Sequence, residues 1–282
     1  MLSKLEHRGP FLNFRMFRFL YCSFLAWMLP SREWFFFNSD FGLHQGMIFV
    51  PDQLAPQLTN LIFISLTCIM GFCLLLSAIE IRPSWNLAIA LFIFVIISQP
   101  TEAHLNPYDS NIIFFNLLVL CLSSMASWDD QDLLSKNKFL SFWPLQAIKL
   151  NLALVYFSAF ISKMVNGNGL EWANGTTLQA HLIERYLMTG NELAGWLAEI
   201  HWLCLALSCM TLIAESTFWT ILVPTRFTPY IAFSGFLMHV FIYLVMSINF
   251  RFFILTYLVF IPYEKIIYFT RSRFYKLSHR TL

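Results

Sequence analysis

Long apolar runs, separated by short polar segments, dominate the pattern of this chain. A transmembrane helix needs about 20 mostly apolar residues, because it must cross the hydrocarbon core of the bilayer. Backbone N–H and C=O groups in lipid must bond within their own segment, so each run is predicted to be a helix. The runs cover residues 13–30, 59–79, 84–99, 110–127, 145–163, 196–214, 229–249 and 251–262. The pattern therefore predicts an all-α, polytopic bundle of about eight transmembrane helices.

The connections between the runs refine this prediction. The last two runs could be two helices, or one long helix broken at Ser247–Arg251. Between the fifth and sixth runs, Thr177–Leu187 is predicted to form a short amphipathic helix at the membrane surface. No repeat or long linker divides the chain, so residues 1–282 are predicted to form a single transmembrane domain.

The positions of the basic residues predict the orientation of the chain. Short loops rich in Lys and Arg tend to stay in the cytoplasm. With eight spans, the basic N-terminal segment, the basic loops and the basic tail at 265–282 fall on one side, so both termini are predicted to be cytoplasmic. In this arrangement Lys163 ends the fifth run at the outer face. Glu215 ends the sixth run at the cytoplasmic face, where it could pair with Arg226.

Composition agrees with a membrane protein and excludes several classes of function. The chain is 58% hydrophobic and only 12% charged, whereas an ordinary soluble domain carries about 25% charged residues. Its formal net charge of +2 is too small to indicate a nucleic-acid partner. The six cysteines lie in apolar runs without a CxxC pair, and no HExxH motif occurs. Neither a redox dithiol nor a metal site is therefore predicted.

Ionisable side chains in or beside the apolar runs are the candidates for chemistry, because such groups are costly in lipid. Lys163 could be a base, or a snorkelling side chain that anchors a helix end at the headgroups. His239, in the middle of the seventh run, could contact a ligand or be a core histidine hydrogen-bonded to a neighbouring helix. Tyr156 lies on about the same helix face as Lys163. We expect Lys163, His201 and His239 to converge on one cavity.

One segment of the fifth run carries a recognisable motif. It reads Leu154-Val-Tyr-Phe-Ser-Ala-Phe-Ile-Ser-Lys-Met164, and Leu170-Glu-Trp172 and Gly175 follow it. This pattern resembles the core of the vitamin K-dependent γ-glutamyl carboxylase family, which bacterial relatives share as the HTTM membrane domain. The likeness covers mainly residues 150–250. Where the family has a Lys-Lys pair this chain has Ser162-Lys163, so Lys163 takes the position of the family's base.

The resemblance implies a chemistry. In the carboxylases a lysine amine deprotonates vitamin K hydroquinone, which then reacts with oxygen to give a strong base. That base removes a γ-proton from a glutamate side chain, and carbon dioxide adds. By this resemblance Lys163 would be catalytic, and a reduced quinone, such as a hydroquinone or menaquinol, would be bound without a metal by Tyr156, Trp172, His201 and His239. A peptide or protein on the extracytoplasmic side would be the substrate, and the protein would lie in a bacterial inner membrane.

Two other functions stay open. A non-catalytic membrane protein could keep this fold and act as a scaffold or partner for another protein. A small-molecule transporter would need polar residues deep in several helices, and these are sparse. The surroundings of Lys163 discriminate between an enzyme and a scaffold. A lysine in a polar site favours the carboxylase-like function, whereas a lysine facing open lipid favours the scaffold.

Overall fold

A computed structural model describes residues 9–29, 55–101, 107–126, 138–166, 169–248 and 250–278. These residues contain no β-strand, which confirms the all-α prediction. Three 3₁₀ helices also occur among them, at Gly169–Asn174, Phe218–Leu222 and Tyr257–Phe260. The α-helices are α1 (Gly9–Met28), α2 (Ala55–Ala78), α3 (Pro83–Thr101), α4 (Pro107–Ala126), α5 (Lys138–Asn166), α6 (Thr176–Thr189), α7 (Glu192–Glu199), α8 (His201–Thr217), α9 (Thr228–Met246), α10 (Arg251–Thr256) and α11 (Tyr263–Ser278).

Several of these helices are long and apolar enough to cross a membrane. Within the described ranges four pass this test, and they cover Leu61–Ala78, Phe142–Val165, His201–Leu222 and Thr228–Met246. A fifth span would be formed by the pair Arg251–Phe260 and Tyr263–Thr270, whose halves are bent by 63°. The apolar helices at Pro83–Ser98 and Ser110–Ala126 are shorter. The fold is thus that of a membrane protein with four to five candidate spans, and the predicted eight are not confirmed.

The sixth apolar run, predicted at 196–214, is interrupted. Helix α7 ends at Glu199, and Ile200 leaves the helical region with φ −105° and ψ 81°. Helix α8 then begins at His201 and continues to Thr217. The apolar pattern runs through this break because both sides of it pack against protein, so the pattern alone could not locate it.

The last two runs are separate helices, which settles the alternative left open by the sequence. Ser247 ends α9 in the left-handed conformation, with φ 53°, and its N–H donates to the carbonyl of Tyr243. Helix α10 starts afresh at Arg251. The amphipathic helix predicted at Thr177–Leu187 is present as α6, and α11 covers most of the predicted basic tail.

The chain divides into two compact units, with the boundary inside α5. The first unit contains the residues up to Leu145 and those from Ile261 onward. In it α2 packs against α1 and α3, α4 packs against α3, and α11 packs against α1. Its core includes the buried side chains of Phe17, Tyr21 and Leu25 of α1.

The buried side chain of Arg18 connects three elements of the first unit. The guanidinium of Arg18 donates to Glu80 Oε1 at 2.9 Å and to Ser124 Oγ at 3.2 Å. Arg15 also pairs with Glu80. The side chain of Arg18 is only 7% exposed, so a residue that the sequence marks as part of a basic terminal segment instead ties α1 to the α2–α3 turn and to α4.

The central unit, Gln146–Phe260, contains most of α5 and the helices from α6 to α10. Helices α6 and α7 form a hairpin whose inner face is buried with α8 and the end of α9. This core consists of Leu182, Ala194, Leu197, Ala198, Cys204 and Val245. All the sequence-predicted site residues belong to this unit.

Candidate functional site

The amine of Lys163, in the last turn of α5, is held by a carboxylate and an indole. Nζ donates to Glu215 Oε1 at 2.5 Å and lies 5.2 Å from the centroid of the Trp172 ring, within the range of a cation–π interaction. The side chain of Lys163 is 20% exposed and that of Glu215 only 6%. Lys163 therefore contacts polar and aromatic groups of its own unit, which is the arrangement that favours an enzyme over a scaffold.

The position of Glu215 corrects the prediction from the charge pattern. That prediction placed Glu215 at the face opposite to Lys163 and paired it with Arg226. The guanidinium of Arg226 instead lies over the ring of Phe227, 4.7 Å from its centroid. Two atoms 2.5 Å apart cannot stand at opposite faces of a hydrocarbon core about 30 Å thick, so this part of the predicted topology is wrong. A buried carboxylate needs a cation, and among the described residues Lys163 forms an ion pair with Glu215.

An aromatic cluster surrounds Tyr156, which lies on the same helix as Lys163, two turns earlier. The ring of Tyr156 stacks on Phe218 with 3.8 Å between centroids, and its hydroxyl bonds to the hydroxyl of Tyr257. The Tyr156 hydroxyl also donates to the carbonyl of Gly235 at 3.2 Å. A Cβ added to Gly235 would lie 2.6 Å from Tyr257 Oη and 2.9 Å from Tyr156 Oη. Glycine is therefore needed for the two hydroxyls to meet at α9.

His239 is enclosed by this cluster. Its ring centroid lies 4.5 Å from that of Phe253, 4.9 Å from that of Phe250 and 5.5 Å from that of Tyr156. The residue is 6% exposed, and neither ring nitrogen has a hydrogen-bond partner in the part of the chain that the structure describes. The described residues therefore do not support the interpretation of His239 as a core histidine that is hydrogen-bonded to a neighbouring helix.

Two further polar atoms beside Lys163 are buried without partners among the described residues. They are Oε2 of Glu215, a hydrogen-bond acceptor, and Nε1 of Trp172, a donor. Buried polar atoms normally have partners, and leaving one unpaired costs about 1–3 kcal/mol. A ligand that offers both a hydroxyl hydrogen and an oxygen would satisfy them.

His201 does not join this site, so the predicted convergence of three residues is wrong for His201. Its Nδ1 lies 3.2 Å from Oε1 of Gln179, and the residue is exposed. It is the first residue of α8, whereas Glu215 lies near the other end, about 21 Å away along the helix axis. Lys163 contacts the C-terminal end of α8 rather than its beginning, because α5 ends beside Glu215. His239 contacts Tyr156, which lies seven residues before Lys163 on α5.

Gly175, part of the sequence motif, has a structural role. It adopts φ 84°, and a Cβ there would lie 2.7 Å from Leu205 Cα. The backbone of the segment after α5 therefore lies directly against α8. Sequence reasoning missed Gly235, Phe218 and Tyr257, because the contacts that define them join residues far apart in the chain.

The comparisons with known proteins add no assignment. No family model, no curated protein and no solved structure matches this chain. The resemblance to the vitamin K-dependent carboxylases thus stays a prediction from the motif around Lys163. Among the described residues, no group of three or more His, Cys, Asp or Glu is arranged to hold a metal ion.

Proposed function

We propose that this chain is a carboxylase-like membrane enzyme that binds a reduced quinone and uses Lys163 as a base. The observation that supports this is the contact of the Lys163 amine with the largely buried carboxylate of Glu215 and with the Trp172 ring. A lysine that only anchors a helix end extends towards water and needs no buried carboxylate. Ionisable groups kept inside a membrane protein usually serve its function.

The unpaired atoms of this site fit a reduced quinone. Such a molecule is a flat apolar ring that carries hydroxyl groups. Glu215 Oε2 would accept a hydroxyl hydrogen, and Trp172 Nε1 would donate to an oxygen, since both atoms are buried and unpaired among the described residues. When bound, the reduced quinone would supply the electrons for reaction with oxygen.

Lys163 and Glu215 together provide a path for one proton. A lysine acts as a base only after its ammonium group has released a proton, and Glu215 Oε1 lies 2.5 Å from Nζ to receive it. The transfer leaves a neutral amine beside a protonated carboxyl group. The amine then accepts a proton at Nζ from the hydroxyl that the site orients.

Oxygen consumption by the purified protein in lipid nanodiscs, supplied with a short-chain reduced quinone, tests this function. We expect Lys163→Ala to abolish quinol-dependent consumption above the rate of lipid alone. Lys163→Arg should abolish it too, because a guanidinium keeps its proton at any usable pH while it can still pair with Glu215. Lys149→Arg is the matched control on the same helix. Its ammonium lies 5.3 Å from the Phe260 ring centroid, where arginine can replace it.

The outcomes separate the enzyme from the alternatives. Full consumption by the Lys163→Arg protein would exclude Lys163 as the base. A wild-type protein without any quinol-dependent consumption would favour a non-catalytic scaffold. Incorporation of labelled carbon dioxide into an added glutamate-containing peptide would extend the proposal to peptide carboxylation. We further propose that the site faces the extracytoplasmic side of a bacterial inner membrane.

A further inference from the structure

A cavity lies between α6 and α7, and its described lining includes none of the residues that contact Lys163. Its volume is about 440 Å³, and two aromatic rings, two carboxylates and an aliphatic side chain contribute to its lining. These are Tyr186, Trp196, Glu192, Glu199 and Ile183. The cavity is large enough for a small organic group.

The walls of this cavity are fixed by the turn between α6 and α7. Gly190 ends α6 with φ 69°, and the side chain of Asn191 caps α7 by accepting from Leu193 N at 3.1 Å. Asn191 Nδ2 also donates to the carbonyls of Leu244 and Val245, at 2.8 and 3.0 Å. The buried inner face of the hairpin and these hydrogen bonds hold α6 and α7 together, so the cavity residues are presented in a fixed arrangement.

The aromatic wall lies directly against α7. A Cβ added to Gly195 would meet Tyr186 Cδ2 at 3.0 Å, so the absence of a side chain at Gly195 lets the tyrosine ring rest on the helix backbone. Trp196 is the next residue along α7 and is 56% exposed. One tyrosine and one tryptophan ring are thus available to a group that enters the cavity.

Two carboxylates give the cavity a negative charge. Glu192 and Glu199 are seven residues apart, two helical turns or about 10 Å along one face of α7. The described lining residues include no lysine or arginine, and neither carboxylate forms an ion pair with a described residue. Two like charges on one cavity repel each other, and a bound cation would relieve that repulsion.

We propose that this cavity binds an alkylated ammonium group, as in choline. Aromatic faces together with carboxylates are the surroundings that recognise such ammonium ions, because the cation is attracted to the ring faces as well as to the negative charges. Ile183 provides apolar contact for the alkyl groups. An inorganic divalent ion is a poorer fit, because it needs several oxygen ligands within about 2.6 Å and the two carboxylates stand two turns apart.

Binding of tetramethylammonium to the protein in a maltoside detergent tests this site by titration calorimetry. We expect saturable binding that is weakened about tenfold or more when Glu192→Gln and Glu199→Gln are combined, since the cavity then loses both charges. Trp196→Leu should weaken binding as well. Glu184→Gln is the matched control, because Glu184 is an exposed carboxylate on α6 outside the lining. It should leave the affinity unchanged.

Two results would overturn the proposal. One is equal affinity for tetramethylammonium in the double variant and the wild type. The other is equal binding of neopentyl alcohol, an uncharged compound of similar shape, which would show an apolar cavity without selectivity for cations. Unchanged thermal unfolding temperatures of the Gln variants would show that the fold is intact.

The affinity for tetramethylammonium in nanodiscs of different lipids identifies the source of the ammonium group. If lipid headgroups reach the cavity, tetramethylammonium will bind more weakly in phosphatidylcholine than in phosphatidylethanolamine, because choline headgroups compete while the net charge of the lipid is the same. Equal affinity in both lipids would identify a free solute as the ligand.

Discussion

At the scale of single residues, Gly235 is a point of close packing among side chains of the central unit. The hydroxyls of Tyr156 and Tyr257 and the ring of Phe218 all approach its Cα. This residue therefore fixes the distance between α9 and the elements that carry those rings. It also positions the aromatic cluster around His239.

We expect Gly235→Ala to destabilise the protein by about 1–3 kcal/mol, because the new methyl group would overlap three side chains. The added Cβ would lie 2.6 Å from Phe218 Cε2 and from Tyr257 Oη. Thermal unfolding in detergent, followed by circular dichroism, measures the effect. Gly71→Ala is the control, since the nearest atom to its Cβ would be 3.9 Å away. An unchanged unfolding temperature for Gly235→Ala would contradict the packing described around it.

Substitution of His239 separates a role in packing from a role in ligand binding. His239→Phe should raise the unfolding temperature, because it replaces a buried imidazole without hydrogen-bond partners among the described residues by a ring that suits its aromatic surroundings. The same variant should lose quinol-dependent oxygen consumption if His239 contacts the ligand, a common exchange of stability against function. A variant that is more stable and fully active would assign His239 to packing alone.

At the scale of elements, the turn between α6 and α7 connects two parts of the central unit. Asn191 caps α7 with its side-chain oxygen and bonds to the end of α9 with its side-chain nitrogen. The two functions use different atoms of one amide, so substitution can separate them. The position of the hairpin against α9 depends on the nitrogen.

We expect Asn191→Ala to cost about 1–2 kcal/mol through loss of the cap and of the bonds to α9. Asn191→Asp keeps an oxygen for the cap but cannot donate to the carbonyls of Leu244 and Val245. Limited proteolysis at the turn should therefore be faster in both variants than in the wild type. Equal protection of the Asp variant and the wild type would show that the bonds to α9 do not hold the hairpin.

The elements differ in how far the sequence could predict them. The helix at Thr177–Leu187 was predicted within two residues of each end, because its polar and apolar positions alternate with the period of a helix. The breaks at Ile200 and Ser247 carry no glycine or proline. Hydropathy therefore could not locate the break at Ile200, and it could not show whether the chain forms one helix or two around Ser247. Lys163 and His239 were predicted as site residues from their apolar surroundings. Glu215 was assigned the wrong partner, because its contact spans 52 residues.

At the scale of the whole molecule, the ion pairs constrain the topology. Arg15 pairs with Glu80, which brings the first half of α1 next to the α2–α3 turn. In the central unit the pair of Lys163 and Glu215 brings the ends of α5 and α8 together, which the eight-span prediction did not contain. Any assignment of transmembrane helices must therefore place Lys163 and Glu215 on the same side of the membrane.

Cysteine labelling tests that constraint. In a protein without its six native cysteines, Val165→Cys and Thr217→Cys place exposed thiols two residues from Lys163 and from Glu215. We expect an impermeant maleimide to label both from the same side of sealed vesicles, or neither. Labelling from opposite sides would exclude the ion pair in the membrane-inserted protein.

The pairing of Lys163 with Glu215 also has a consequence for synthesis. Lys163 precedes its partner by 52 residues, which a ribosome adds in roughly 3–10 s. During that interval α5 carries an unneutralised ammonium group, and a lysine within a transmembrane segment costs up to about 3 kcal/mol on insertion. We therefore expect α5 to be less stably inserted until α8 emerges. In nascent chains arrested before Glu215, we expect α5 to be inserted in a smaller fraction of molecules than in chains that include Glu215.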